Sequence, residues 1–243
     1  MDNSFNLGYD AGLSRETVYL RRVYAWLTVG LGITLATSWA SLTQFGTREV
    51  SLKGSILHVP NLVADMMEHP ILSAVLFFAL GLGSRFLSQA RGAGGLFLLF
   101  SAFNGVFLGP ALFVAQYKAS AGATLSPNPI LHALILTICA MVGLTTYVLT
   151  TRRDFTALGG FLSSGLLVLI GASVLGIWIH AESFHLAVAS VGVLVFMGFI
   201  LFDTSRMLHK SSYDDAIGDA WELYMDFVNL FLELLRILAS KKD

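Results

Sequence analysis

The sequence predicts an all-α membrane protein built as a bundle of seven membrane-spanning helices. Three observations carry that reading. Of 243 residues, 55% are hydrophobic and only 13% charged, and the mean hydropathy is +0.71; a water-soluble domain carries about 25% charged residues. Apolar runs near the ~20 residues that cross a bilayer recur along the chain. The polar connections between them are short, with one exception. The net charge of −1 leaves no basic surface for nucleic acid. The single cysteine, Cys139, lies inside an apolar run and reads as a small buried apolar residue, with no disulfide or thiolate cluster available to it.

Residues 1–22 form a polar N-terminal segment without the apolar core of a signal peptide, so the first span is expected to direct insertion itself. Residues 23–239 form one membrane domain, and 240–243 a short tail. Within the domain, spans fall at about 23–43, 71–90, 95–117, 130–151, 157–180, 184–208 and 219–239. The long connection, 46–70, carries Arg48, Glu49, Lys53, Asp65, Glu68 and His69 and reads as a loop. Trp26, Trp39, Trp178 and Trp221 lie near span ends, as interfacial anchors do. Gly105 and Gly109, with Pro110 after them, would let the third span approach a neighbour closely and kink.

Lys and Arg set the orientation. With the N-terminus inside, the inner segments hold Arg15, Arg21, Arg22, Arg85, Arg91, Arg152, Arg153, Arg206 and Lys210, against Arg48, Lys53 and Lys118 outside. Six spans obey the positive-inside rule. The seventh puts Arg236, Lys241 and Lys242 outside, so it either spans against the bias or re-enters and returns.

That seventh segment carries an unusual pattern. On a helical projection of about 100° per residue, with Glu222 at zero, Asp226 lies near 40°, Glu233 near 20°, Asn229 near 340° and Arg236 near 320°. The remaining positions are apolar or aromatic. Asp203, in the sixth span, lies about 8 Å from its inner end, and Asp226 lies about 10 Å from the same side. Arg85 is at similar depth in the second span. An ionisable group in a span faces the bundle interior and has a partner. Two carboxylates in contact cannot both ionise cheaply, so a pair of Asp203 and Asp226 would titrate as a unit. Such a pair could hold one proton, turn to Arg85, or take Ca²⁺, which favours carboxylate oxygens. The bland alternative gives each aspartate a separate structural bond, Asp203 with Thr204 and Ser205, Asp226 at a surface-lying helix. Glu222, Asn229, Glu233 and Arg236 are candidate pore-lining groups, although Glu233 and Arg236, at i and i+3, read better as a self-neutralising pair. Asp214, Asp215 and Asp219 read as a solvated acidic loop at the inner mouth.

These residues also carry a resemblance. R-R-V-Y-A-W-L-T-V-G-L at Arg21–Leu31, N-G-V-F-L-G-P at Asn104–Pro110, T-T-Y-V-L-T-T-R-R-D-F at Thr145–Phe155, F-D-T-S-R at Phe202–Arg206 and L-Y-M-D-F-V-N-L-F at Leu223–Phe231 are similar to segments of the Bax inhibitor-1-like family. The resemblance spans nearly the whole chain. It implies a seven-helix fold whose C-terminal helix is enclosed by the other six. It implies a bacterial member acting as a pH-sensitive calcium leak channel, with Asp203 and Asp226 as the paired sensor and Arg85, or its rival Arg91, as the latch. The chain departs from the family in having F-D-T-S-R at Phe202–Arg206 where the family more often has Tyr-Asp and then a Gln or Asn, and the early second span lacks a family-like glutamate. The expected partners are the lipid bilayer, protons and calcium ions, with no cofactor, in a bacterial inner membrane.

Two other functions compete. A non-conducting regulator would bind a membrane protease or a channel. An intramembrane hydrolase is the weaker rival. No Gly-x-Ser-Gly surrounds Ser163 or Ser164, no H-E-x-x-H occurs, and His180 and His185 lie outside while His209 lies inside.

Overall fold

A computed structural model of the chain describes residues 15–43, 46–52, 55–69, 92–122, 124–179, 181–209 and 215–240. The predicted second span, with Arg85 and Arg91, lies outside the described residues, as do His180, Lys53 and Asp214.

The first helix, α1, is Arg15–Thr43. It starts eight residues before the expected span because Tyr19 and Val23 continue a buried stripe that runs on through Leu27, Gly30, Thr34, Ser38 and Ser41. The stripe repeats every three or four residues, which keeps it on one face. Next, 46–70 is not an irregular loop. Strands β1 (Thr47–Leu52) and β2 (Ser55–Pro60) pair antiparallel, with Thr47 opposite Pro60 and Leu52 opposite Ser55. A short helix, α2 (Asn61–Glu68), follows, and Val59, Val63 and Ala64 pack beneath Leu42 and Phe113. Arg48 on β1 pairs with Asp65 at 2.7 Å and Glu68 at 3.2 Å on α2.

Helix α3 (Ala93–Ser120) lies along α1 and in the same direction: Gly94 meets Trp26, Gly105 meets Thr34, and Gly109 meets Ser41. A methyl at Gly105 would overlap the Thr34 carbonyl and the Thr37 hydroxyl, so the glycine sets how closely the two helices approach. Pro110 sits inside α3 without ending it.

Helix α4 (Pro129–Thr151) opens on a proline, which suits the first helical position. It closes at Arg152 in the left-handed region, at φ 49°. A single 3₁₀ turn (Thr156–Leu158) leads into α5 (Gly159–Leu175), which among the described helices packs chiefly on α6 (Glu182–Leu208) and buries little beyond Leu162 and Leu169. Helix α7 (Ala216–Leu238) then runs between α1, α3, α4 and α6. Of its 23 residues, Arg236 is the one left exposed.

Five of these helices, α1, α3, α4, α6 and the 156–175 segment, are long and apolar enough to cross a membrane. Helix α7 runs the length of the bundle without re-entering. Its first turn lies beside Tyr19, and its last residues meet the α3–α4 connection, where Leu125 N–H donates to the Ser240 carbonyl at 3.1 Å and Ser126 N–H to that of Leu238 at 3.2 Å.

Two smaller expectations need correction. Cys139 is exposed on α4, because it points away from the bundle. Trp221 is core, not an interfacial anchor: its ring lies 4.7 Å from Phe100 and 5.4 Å from Phe97, since α7 is interior along its whole length.

Candidate functional site

The polar arc of α7 faces α6, and the two helices run antiparallel, so residue pairs meet in descending and ascending order. Arg206 meets Asp219 and Glu222, Asp203 meets Asp226, and Gly192 meets Glu233. The seam therefore extends along most of α7, about 21 Å at 1.5 Å per residue.

Asp203 and Asp226 are both 6% exposed, and their carboxyl groups lie within hydrogen-bonding reach of each other. Asp226 Oδ2 is buried and, among the described residues, accepts no hydrogen bond. The geometry explains this: two ionised carboxylates are acceptors only, and neither can satisfy the other. One proton placed between them would.

One turn away, a single guanidinium serves several acids. Arg206 Nη2 lies 3.4 Å from Asp203 Oδ1 and 3.5 Å from Asp219 Oδ1, and it contacts Glu222 Oε2. Its guanidinium also sits over the Phe202 ring, 5.7 Å from the centroid. Tyr19 of α1 donates its hydroxyl proton to the Asp219 carboxylate and approaches the Asp215 carbonyl at 3.0 Å. Asp215 itself caps α7, accepting from Gly218 N–H at 2.7 Å. Three carboxyl groups on two helices thus share one cation, and α1 is tied to the same cluster. The floor of the site is fixed by Ser205, whose hydroxyl accepts from Phe155 N–H at 2.8 Å and donates to the Arg153 carbonyl at 3.3 Å. In that same connection, hydrogen bonds from the Thr156 hydroxyl and N–H hold the Asp154 carboxyl below its ordinary pKa.

At the far end, Glu233 lies against Gly192, where an added Cβ would come within 2.8 Å of Glu233 Cγ. Glu233 Oε2 pairs with Arg236 Nη1 at 3.2 Å. Asn229 lies half-buried between the two ends of the seam.

Three contributors escaped the sequence reading. Asp219 is 3% exposed and part of the cluster, not of a solvated loop, because it falls three residues before Glu222 and so on the same face of α7. Arg206 stands three residues after Asp203, one helical turn, and counted only as an inner-flank charge. Tyr19 lay in a segment expected outside the membrane domain. Among the described residues, no group of three or more His, Cys, Asp and Glu could hold a metal ion. His209 is engaged locally, donating Nδ1–H to the Ser205 carbonyl at 2.8 Å.

Residues 16–243 match the family described as "Inhibitor of apoptosis-promoting Bax1", a description that names an inhibitor and no catalysed reaction. The chain is 32% identical to mouse protein lifeguard 4, covering 99% of this chain and 93% of that protein. It is 32% identical to the Golgi anti-apoptotic protein of vaccinia virus (strain Lister), over 100% and 95%. With the Escherichia coli K12 inner membrane protein YbhL it shares 28% identity, over 92% of each chain.

Proposed function

The chain belongs to the Bax inhibitor-1-like family, and on that premise we propose that it is a pH-sensitive calcium leak channel gated by protonation of the Asp203–Asp226 pair. The observation that carries the proposal is the meeting of these two buried carboxyl groups between α6 and α7, beside a single shared guanidinium. A proton between them ties the helices together. When it leaves, two negative charges face each other and repel, and the pair turns to a cation. Arg206 is one; Ca²⁺, which takes carboxylate oxygens, is another. Arg85 keeps the latch role assigned to it, with Arg91 as its rival, and Arg206 acts beside whichever of them reaches the pair. Glu222 and Asn229 continue the polar line along α7 and would lead cations to and from the pair, with Glu233 and Arg236 neutralising each other at the far end.

Calcium flux from protein-containing liposomes, measured against pH, tests this. Wild type should show a pH-dependent leak, and Asp203→Asn or Asp226→Asn should flatten or displace its pH profile. Profiles identical to wild type in both variants would remove the sensor.

A second reading draws on the names of the family and of the vaccinia relative, both of which concern inhibition of apoptosis. In that reading the chain conducts nothing and binds a partner membrane protein. Pure protein in liposomes would then carry no calcium under a gradient at any pH. For location, a lipid bilayer follows from the spanning helices. The proposed membrane is a bacterial inner membrane, on the likeness to YbhL. The vaccinia relative is named for the Golgi, and fractionation of source cells decides between the two.

A further inference from the structure

Asn104, near the middle of α3, is wholly buried, and among the described residues neither its Oδ1 nor its Nδ2 has a hydrogen-bond partner. Hydroxyl groups of the α1–α3 contact are engaged elsewhere. Thr34 Oγ1 lies 3.0 Å from the carbonyls of Gly30 and Ser101 and 2.6 Å from the Tyr224 hydroxyl. Ser101 donates to the Phe97 carbonyl at 2.8 Å, and Ser41 to that of Ser38 at 2.8 Å. Hydroxyls on a helix can return to a carbonyl of the preceding turn in this way; the planar amide of Asn104 does not. An amide left unsatisfied in an apolar interior is destabilising. Leucine would fill the same space without that cost.

The chemistry of the amide selects its ligand. It presents donors and an acceptor together. A bare cation answers only the oxygen, and an anion only the nitrogen. Water answers both, and so does the hydration shell of a passing ion.

Position narrows the role. Phe100, one turn before Asn104 on the same face of α3, packs on Trp221 and Tyr224 of α7. Asn104 therefore borders the central helix. Tyr224 is roughly 160° around α7 from Asp226, so this neutral polar group lies on the side of α7 away from the carboxylate seam.

We propose that Asn104 is a water-binding site inside the bundle, on the side of the central helix away from the carboxylate seam. The site stands on the buried amide alone and does not rest on the leak-channel reading.

Two variants test this, each carrying Cys139→Ser. In Asn104→Cys, Ag⁺ added to sealed proteoliposomes should consume the thiol at position 104, read by titrating the thiol that remains after denaturation. In Leu108→Cys, at a position also buried and one turn further along α3, the thiol should survive the same exposure. A thiol untouched at position 104, or one consumed equally at position 108, overturns the water site.

Discussion

Tyr19 shows how much one hydroxyl can do in this bundle. It is 3% exposed, and its proton goes to Asp219, one of the acids gathered around Arg206. Tyr19→Phe keeps the ring and removes the bond, leaving a buried carboxylate one donor short. A hydrogen bond to a charged group is worth about 1.5–3 kcal/mol, so the variant should melt several degrees lower in detergent, while Tyr19→Trp or →Leu would confound this with packing. An unchanged melting temperature would mean that Asp219 has enough donors without Tyr19. The acids of the site were only partly legible. Asp203 and Asp226 stood out because a charge in an apolar frame is rare. Asp219 was masked by its neighbours in sequence, Asp214 and Asp215. Helical phase, not proximity along the chain, was the signal that placed it.

Among the elements, α1 and α3 are held by the absence of side chains. Gly105 faces the Thr34 carbonyl, which is backbone and cannot rotate away. Gly105→Ala should therefore force the helices apart, at the roughly 1–3 kcal/mol typical of overpacking. Gly95→Ala, where nothing lies within 4 Å, is the control and should be neutral or slightly stabilising. Thermal melts of the two variants side by side check this. Among the described residues the long helices were readable from run length alone, and apart from the start of α1 their limits fall within about five residues of those expected. The β1–β2 hairpin was not. Its strands are six residues each, too short for alternation to stand out, and the charges at Arg48 and Glu49 disguised them as loop. The early start of α1 was missed for a related reason: a polar surface hides a buried stripe when only one residue in four carries it.

At the scale of the molecule, the two ends of the bundle differ. Arg15, Arg21, Arg22, Arg152 and Arg153 are exposed at the end where α1 begins, and Arg152 pairs there with Glu16 at 3.3 Å. The last described residue, Ser240, is bonded into the opposite end. The positive-inside rule then puts the first end in the cytoplasm. Epitopes placed before Arg15 and after Ser240 should be protected on opposite sides of sealed vesicles, and accessibility of both from one side would contradict the course of α7. The same helix has a consequence for how the protein is made. Asp219, Glu222, Asp226, Glu233 and Arg236 lie within its 23 residues, and each would cost about 2.5–3.5 kcal/mol at the centre of a lone helix in lipid. Alone, the segment would be refused by the bilayer. It leaves the ribosome after the helices that flank it, so it must be received into a cleft they have already formed, and until it arrives the newborn chain is exposed to the membrane's quality-control proteases.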